Sequence, residues 1–330
     1  MITVVGAGVV GASVAYHLAL AGAAVTLVDR QPQAGRGVTG GSFGWIGDEP
    51  GDAWPGGAAD LRPLVRDDYR RLEATVPGFA VRWCGSLRWP GSALTPAHIT
   101  PAQITRLEQH LVAVPASADF TPGDGAVDPV GLTAALVSAA ESLGARVSLR
   151  STFAPPAGSV VLAAGTGVTA LSARLGAPVV VPASPALLVR VAGPPGAIRT
   201  IAVGPDFEAR ELADGSVLMA VTLDATAEPS LSRAAPRHHP GPREPWFLAE
   251  LAVRRLRTTF EGDFRLVGWQ VSERPMPAGG PVIGPLTPDV YVAVMHSGVT
   301  LAPTVGRLVA EELVSGRPAP ELARCRPPQP

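Results

Sequence analysis

The sequence contains no lysine and no asparagine, and all 27 of its basic residues are arginine. No lysine can therefore act as a general base, form a Schiff base with a substrate or place a cation beside a cofactor. The basic residues nearly cancel the 28 acidic residues, which leaves a net charge of −1. This balance gives no general attraction to nucleic acid or to an acidic membrane surface, so neither is expected as a partner.

Cysteine is also scarce, with Cys84 and Cys325 as its two positions. Two cysteines so far apart indicate neither a disulfide framework nor a zinc site, and a reducing, cytoplasmic setting is the default expectation. The apolar stretch 1–28 has no basic residue at its start and is interrupted by four glycines. This pattern is typical of a strand, a turn, a helix and a second strand, and not of a signal peptide or a membrane span.

Apolar residues are abundant by contrast, at 46% of the 330 residues against 17% charged residues. This composition allows a sizeable core divided over roughly two domains. The segment 226–245 is rich in proline, arginine and serine and is expected to form a loop. His238 and His239 within it have no third ligand nearby in the sequence, so no metal site is predicted.

The N-terminal residues carry a dinucleotide-binding fingerprint in its full context. The run Ile2–Val5 predicts a buried strand, and a glycine-rich turn, a helix and a second strand follow it. In such a turn Gly6 permits the tight bend, Gly8 lets the backbone approach a pyrophosphate, and Gly11 allows the helix to pack closely on the strand. Asp29, at the end of the second strand, is placed to accept a hydrogen bond from a ribose hydroxyl. The unit predicts a dinucleotide and does not distinguish NAD from FAD.

A second glycine-rich segment follows where an NAD-binding domain would normally continue with alternating strands and helices. Residues 35–45 are too irregular for either period. Backbone amides there, together with the hydroxyls of Thr39 and Ser42, can line a long, extended cofactor.

Two later segments complete the pattern. A buried strand ends in Ala163–Gly167, and a strand over 290–295 is followed by His296–Pro303. This last run is expected to lead into a helix over Thr304–Val314, which Gly316 and Pro318 stop.

These segments, with Arg274–Pro275 through Gly284, stand in the order found in the D-amino acid oxidase and glycine oxidase group of FAD-dependent oxidoreductases, which the chain resembles over most of its length. The resemblance implies an α/β fold, with a Rossmann-like FAD-binding domain and an inserted antiparallel-sheet α+β substrate domain. Residues 1–50, 128–180 and 266–330 would form the discontinuous FAD-binding domain. Residues 51–127 and 181–265 would form the substrate domain.

The resemblance also implies FAD as the cofactor, bound without a covalent link. In that family the loop equivalent to His296–Pro303 passes against the pyrimidine edge of the flavin and leads into a helix aimed at it. The N-terminus of such a helix can stabilise the negative charge of the reduced flavin. The residues expected to contact FAD are Gly6, Gly8, Val9, Val10, Gly11, Asp29, Arg30, Thr39, Gly41, Ser42, Phe43, Gly44, Ala164, Gly165, Gly167, Ser297, Gly298, Val299 and Thr300.

Two residues are the candidates for contact with the substrate. His296 lies where members of that family carry a residue beside the substrate carboxylate, and it is expected to face the substrate or to accept a proton. A histidine that caps the strand end or bonds to the flavin is the structural alternative. Arg274 begins the Arg-Pro block of the family, where a buried arginine can pair with a carboxylate. Holding the loop under the flavin is its structural alternative.

Three departures from the family pattern concern the same site. An Asp-Gly pair usually precedes the Pro-x-x-Gly block, whereas this chain has Gly279–Gly280. Tyr16, Tyr69 and Tyr291 all lie in predicted core elements, so a clamp of tyrosine and arginine on the substrate is hard to assemble. No lysine is present to promote the reduction of oxygen.

The resemblance implies oxidation of a C–N bond in a small amine or amino acid, with hydride transfer to flavin N5, an imine product and reoxidation by O2 or another acceptor. A tailoring oxidase for an unusual or carrier-bound amino compound is an alternative, because the usual substrate clamp is altered. A catalytically silent flavin-binding subunit of a hetero-oligomeric dehydrogenase is a second alternative, and an NAD enzyme is the outside option. The sequence gives no basis for predicting an oligomeric state.

Overall fold

The computed structural model of the chain describes residues 1–47, 55–91, 98–152, 158–205, 207–222 and 244–327, and His238 and His239 lie outside them. The strands are β1 (Ile2–Val5), β2 (Val25–Val28), β3 (Trp45–Ile46), β4 (Ser86–Arg88), β5 (His98–Ile99), β6 (Ala118–Thr121), β7 (Gly125–Ala126), β8 (Arg146–Ser148), β9 (Ser159–Leu162), β10 (Ala183–Ala192), β11 (Ile201–Gly204), β12 (Phe207–Glu211), β13 (Val217–Thr222), β14 (Arg265–Pro275), β15 (Val282–Thr287) and β16 (Val290–Val294). The helices are α1 (Val9–Leu20), α2 (Ala58–Thr75), α3 (Pro101–Leu107), α4 (Pro129–Ser142), α5 (Val168–Arg174), α6 (Pro245–Thr259) and α7 (Gly298–Ser315), with 3₁₀ turns at Val38–Gly41, Gly165–Gly167 and Pro320–Cys325. None of the helices in this described part of the chain is long and apolar enough to cross a membrane.

The first sheet has six strands within the described residues, in the order β15-β16-β9-β1-β2-β8. All neighbours from β16 to β8 are parallel, and β15 is antiparallel at one edge. β1 and β9 are short apolar runs that are almost wholly buried, as expected for strands covered on both faces. Helices α1, α2, α4 and α7 cover one face, and α5 covers the other. The predicted Rossmann-like arrangement is confirmed.

The second sheet has eight strands within the same residues, in the order β14-β10-β13-β12-β11-β4-β6-β5. All of its pairs are antiparallel except β11 with β4. One face packs with α6 into a core that includes Leu187, Val189, Phe260 and Phe264. The inserted, mainly antiparallel sheet that the resemblance implied is therefore present.

Two elements contact a different domain from the one to which the sequence assigned them. Strand β14 pairs with β10 in the second sheet, whereas residues 266–330 were expected in the cofactor domain. Helix α2 packs against α7, whereas residues 51–127 were expected in the substrate domain. Its buried residues Leu61, Val65, Tyr69 and Leu72 form a stripe at helical spacing, and this stripe joins the core of the first sheet. The domain boundaries themselves stay a prediction.

Helix α7 begins at Gly298 and not at Thr304, so the sequence-based start of this helix was wrong. Pro303 lies inside the helix, where its ring removes one backbone donor. The hydroxyl of Tyr69 on α2 donates to the carbonyl of Val299, which the amide of residue 303 would serve in a regular helix. The predicted end is confirmed, since Gly316 follows the helix in the left-handed conformation with φ of 70°.

Candidate cofactor and substrate site

Four loops meet at one edge of the first sheet because the strands before them are parallel neighbours. Strands β16, β9, β1 and β2 lie side by side and run in the same direction, so their carboxyl ends share an edge. The glycine-rich turn 6–11 follows β1, and Asp29 follows β2. Segment 163–167 follows β9, and segment 296–298 follows β16. The structure thus brings together predicted cofactor segments from both ends of the chain.

The glycine-rich turn is so tight that two of its glycines admit no side chain. Gly6 has φ of 110°, and a Cβ atom there would lie 2.5 Å from the carbonyl oxygen of Ala163. A Cβ atom on Gly11 would lie 1.8 Å from the carbonyl oxygen of Gly6. Since real Cβ atoms do not approach so closely, this turn requires glycine at both positions.

The N-terminus of α1 is open toward an anion. Its N-cap residue, Gly8, has no side chain to bond the first amides, and the first turn contains no acidic residue. The amide of Val9 donates to Oγ1 of Thr39 at 3.1 Å. The amides of Val10 and Gly11 have no acceptor within the helix because of their position in its first turn. These amides and the helix dipole suit a phosphate, so the residues present fit the pyrophosphate of a dinucleotide.

The carboxylate of Asp29 links the glycine-rich turn to the segment that follows β2. Its Oδ2 accepts a hydrogen bond from the amide of Ala7 at 2.6 Å, and its Oδ1 accepts one from the amide of Gln31 at 2.7 Å. Each carboxylate oxygen can accept a further hydrogen bond, which leaves room for a ribose hydroxyl. The contact of Asp29 with a ribose stays a prediction. Arg30, the next residue, is exposed, and its contact with the cofactor is likewise a prediction.

Residues 38–45, here called the cofactor loop, pack directly against the second sheet. A Cβ atom on Gly41 would lie 1.7 Å from Oγ of Ser272 on β14. Ser42 turns back on its own loop, and its Oγ accepts a hydrogen bond from the amide of Gly44 at 3.3 Å. Gly44 has φ of 77°, and a Cβ atom there would lie 2.2 Å from the carbonyl oxygen of Val127. The cofactor loop is therefore packed between β14 of the second sheet and the segment that leads into α4.

Sequence reasoning missed Arg210, which joins β12 to the cofactor loop. Its side chain is buried, with 5% exposed. Its Nε donates to the carbonyl of Phe43 at 2.6 Å, and its Nη2 donates to the carbonyl of Val127 at 3.0 Å. Burial lowers the pKa of Arg210 to about 10, so the guanidinium stays charged at neutral pH. No local pattern marks this residue, because both of its acceptors lie far away along the chain.

The first turn of α7 lies beside the start of α1 and the end of the cofactor loop. Ser297 adopts the left-handed conformation, with φ of 57°. A Cβ atom on Gly298 would lie 3.3 Å from the side chain of Val10, so α7 begins directly beside the start of α1. Oγ1 of Thr300 donates to the carbonyl of Trp45 at 2.8 Å, which ties α7 to the end of the cofactor loop.

The two candidate substrate residues lie on different elements, one directly after β16 of the first sheet and one near the end of β14 of the second. His296 follows β16, is half-buried, and has its Nδ1 3.1 Å from Oγ of Ser297. Arg274 lies near the end of β14, and its Nη2 donates to Oγ of Ser184, its partner on β10, at 3.2 Å. Ser272 shares a face of β14 with Arg274 because strand residues alternate. The face that carries Arg274 is thus the face that meets the cofactor loop.

The pair Gly279–Gly280 stands where the family usually has Asp-Gly, and a Cβ atom on Gly279 would meet nothing within 4 Å, so lack of space does not explain the missing acid. Gly279 and Gly280 have φ of 79° and 112°, values that favour glycine. A Cβ atom on Gly280 would also lie 2.4 Å from the carbonyl oxygen of Pro55. A side chain at position 280 would therefore displace the backbone that leads into α2.

The three tyrosines are all buried in core elements, as the sequence predicts. Their relative exposures are 4% for Tyr16, 0% for Tyr69 and 6% for Tyr291. Their hydroxyls donate in that order to Oγ1 of Thr75, to the carbonyl of Val299 and to the carboxylate of Glu312. None of the three is available to form a substrate clamp with Arg274 in this arrangement.

Residues 1–312 match the family described as FAD dependent oxidoreductase, DAO. No curated protein matches the sequence. Among solved structures, glycine oxidase from Geobacillus kaustophilus is 20% identical with a TM-score of 0.77, over 98% of this chain and 97% of that chain. Iminodiacetate oxidase from Chelativorans sp. BNC1 is 21% identical with a TM-score of 0.76, over 99% of both chains. L-amino acid deaminase from Proteus vulgaris is 18% identical with a TM-score of 0.78, over 98% of this chain and 96% of that chain. At these identities the likeness shows a shared fold.

Proposed function

The chain belongs to the DAO family of FAD-dependent oxidoreductases, and on this premise we propose that it oxidises a C–N bond in a small amine or amino acid. The product is an imine, and the electrons pass on to O2 or to another acceptor. The names of the similar structures, which include a glycine oxidase, an iminodiacetate oxidase and an L-amino acid deaminase, support this class of substrate. The observation that carries the proposal for this chain is the position of Arg274 on the sheet face that meets the cofactor loop.

FAD would supply the redox chemistry, which is the uptake of a hydride from the carbon that bears the nitrogen. The first turn of α1 would hold the pyrophosphate, and Asp29 would hold a ribose hydroxyl. The cofactor loop, residues 164–167 and the first turn of α7 would hold the remainder. The N-terminus of α7 contributes a partial positive charge that favours the uptake of negative charge nearby.

We expect FAD to be bound without a covalent link. Cys325 is fully buried, and burial raises its pKa to about 11. Burial also raises the pKa of Cys84, so neither thiol forms much thiolate at neutral pH. His17 lies within α1, where its Nδ1 is 2.8 Å from the carbonyl oxygen of Ser13.

Arg274 binds the carboxylate of an amino-acid substrate in this proposal. Its planar guanidinium can bind a carboxylate through two parallel hydrogen bonds, which fixes the orientation of the substrate. Ser184, itself buried, accepts from Nη2 and holds the guanidinium in place. Because the three tyrosines are buried and bond to other groups of the protein, Arg274 binds the carboxylate without a tyrosine beside it.

His296 accepts the proton that the substrate amine must lose before oxidation. An imidazole exchanges protons near neutral pH, and a neutral amine releases a hydride from its neighbouring carbon far more readily than an ammonium group. The half-buried position of His296 at the start of α7 supports this role. Its contact with Ser297 orients the ring.

Replacement of Arg274 tests the assignment of the substrate carboxylate. Anaerobic reduction of the bound flavin is followed with two matched pairs, glycine with methylamine and N-methylglycine with dimethylamine. We expect the wild-type protein to be half-reduced at lower concentrations of the carboxylated member of each pair. Arg274→Gln should raise that concentration about 10- to 100-fold for the carboxylated members alone, since a hydrogen-bonded charge contributes about 1.5–3 kcal/mol.

Arg265→Gln is the matched control, because Arg265 lies on the same strand with 74% of its side chain exposed. This variant should behave as the wild type does. A preference for carboxylated compounds that survives Arg274→Gln would contradict the role of Arg274. A wild-type protein that reduces equally with both members of each pair would contradict recognition of a carboxylate altogether.

A further inference from the structure

Pro303 creates an unmet hydrogen bond in the first turns of α7. In an α-helix the carbonyl of each residue accepts from the amide four positions later. The amide that would serve the carbonyl of Val299 belongs to position 303, where proline has no N–H. Val299 is itself buried, so water is a poor substitute for the missing donor. A buried carbonyl left without a donor destabilises the folded helix.

Tyr69 supplies the missing donor from another element. Its hydroxyl donates to the carbonyl of Val299 at 2.5 Å. Tyr69 is completely buried, and burial raises the pKa of its hydroxyl well above the usual range. The phenol therefore keeps its proton, and remains a donor, at neutral pH.

Tyr69 is also held by contacts outside α7. It lies on the buried stripe of α2, which joins the core of the first sheet. Its ring meets the ring of Trp83 edge to face, with the centroids 6.4 Å apart. Because Tyr69 is held in this way, its hydrogen bond restricts the position of the carbonyl of Val299. The same bond therefore restricts the position of the first turn of α7.

This first turn adjoins the cofactor site on two sides. Gly298 lies against Val10 in the first turn of α1, and Thr300 bonds to the carbonyl of Trp45 at the end of the cofactor loop. A shift of the carbonyl of Val299 would move the helix end that faces the cofactor. The contact of Tyr69 is therefore placed to act on FAD without touching it.

We propose that Tyr69 is a positioning residue for FAD: its hydroxyl replaces the amide that Pro303 lacks and so fixes the N-terminus of α7 against the cofactor site. The effect depends on the cofactor alone and not on the proposed substrate. Loss of the hydroxyl weakens the binding of FAD. It also makes the bound flavin harder to reduce, because the helix N-terminus then stabilises the added negative charge less well.

Four variants test this inference, each with and without FAD: Tyr69→Phe, Pro303→Ala, the double variant of both, and Tyr16→Phe as the control. Tyr16 is a second buried tyrosine of the same core, but its hydroxyl bonds to Thr75 at 3.3 Å and not to α7. The dissociation constant of FAD is measured by titrating apoprotein, and the midpoint potential of the bound flavin by reductive titration with a dye. Urea unfolding of the apoprotein records any general loss of stability.

Tyr69→Phe should raise the dissociation constant of FAD about tenfold, or about 1.4 kcal/mol, and make the midpoint potential more negative. Tyr16→Phe should change neither quantity. Pro303→Ala adds an amide that can reach the carbonyl of Val299, so the double variant should regain most of the lost affinity. If Tyr69→Phe does not fold, recovery of a folded, FAD-binding protein in the double variant supports the inference in its place.

Three results would overturn it. The first is a Tyr69→Phe protein whose FAD affinity and potential equal those of Tyr16→Phe. The second is a Tyr69→Phe protein that loses stability to urea while its flavin potential does not move, since this would mark a purely structural tyrosine. The third is a double variant as impaired as Tyr69→Phe alone. None of these measurements uses a substrate, so they test the role of Tyr69 independently of the proposed oxidation of a C–N bond.

Discussion

Two threonines one helical turn apart in α7 show how single buried polar atoms affect this fold. Thr300 donates its hydroxyl to the carbonyl of Trp45 at 2.8 Å. Oγ1 of Thr304 is buried and has no hydrogen-bond partner in the described part of the chain. A buried hydroxyl without a partner costs about 1–3 kcal/mol relative to one that is satisfied. Thr304 is therefore a position where the sequence is not optimal for stability.

Thr304→Val should raise the free energy of unfolding by about 1 kcal/mol, because valine keeps the shape of threonine and removes the unpaired hydroxyl. The matched control is Thr300→Val in the same helix, which removes a hydrogen bond that is made and should lower the free energy of unfolding by about 1–2 kcal/mol. Urea unfolding of the two apoproteins measures both changes. A loss of stability in Thr304→Val would show that its hydroxyl does have a partner.

At the scale of whole elements, the cofactor loop is held in part by the second sheet. The sheet approaches it through Ser272 of β14, which lies against Gly41. It also reaches across through Arg210 of β12, whose guanidinium binds the carbonyls of Phe43 and Val127. The substrate-side sheet thus takes part in shaping the loop that is expected to hold FAD.

Arg210→Ala should lower the free energy of unfolding by about 2–3 kcal/mol and weaken FAD binding about tenfold, because the buried carbonyl of Val127 and the partly buried carbonyl of Phe43 lose their donor. Arg82→Ala is the matched control. Arg82 also donates to backbone carbonyls, those of Ile198, Arg199 and Glu211, but it is exposed and does not touch the cofactor loop. Its removal should cost less stability and leave FAD affinity unchanged. Equal losses of FAD affinity in the two variants would contradict the role assigned to Arg210.

At the scale of the whole molecule, the parts that the sequence predicts well are those whose determinants are local. The β1–α1–β2 unit follows from a strand run, three glycines and an aspartate within the first 29 residues, and β1 has the predicted bounds Ile2–Val5. The meeting of the later blocks at one edge follows from the parallel order of the strands, which the family resemblance implied. The contacts of these residues with FAD remain predictions.

The features that the sequence analysis missed depend on contacts between residues that are far apart in the chain. The predicted start of α7 was too late, and the donor that compensates for Pro303 inside the helix, Tyr69, lies 230 positions away from Val299. Arg210 was overlooked because it lies 167 positions from Phe43, its acceptor in the cofactor loop. Neither interaction leaves a periodic or compositional trace, so both become visible only when the sheets are assembled.

Anaerobic titration of the purified holoprotein with amino acids and N-alkylated amino acids is the most direct test of the proposed reaction. We expect a yellow protein whose flavin absorbance is lost on addition of at least one of these compounds, with the amine-bearing carbon recovered as a carbonyl compound after hydrolysis of the imine. Readmission of air then identifies the electron acceptor. If the yellow colour returns, O2 reoxidises the flavin; if it does not, the flavin needs another acceptor. A colourless protein, or a yellow one whose spectrum no amine or amino acid changes, would contradict oxidation of a C–N bond by this chain.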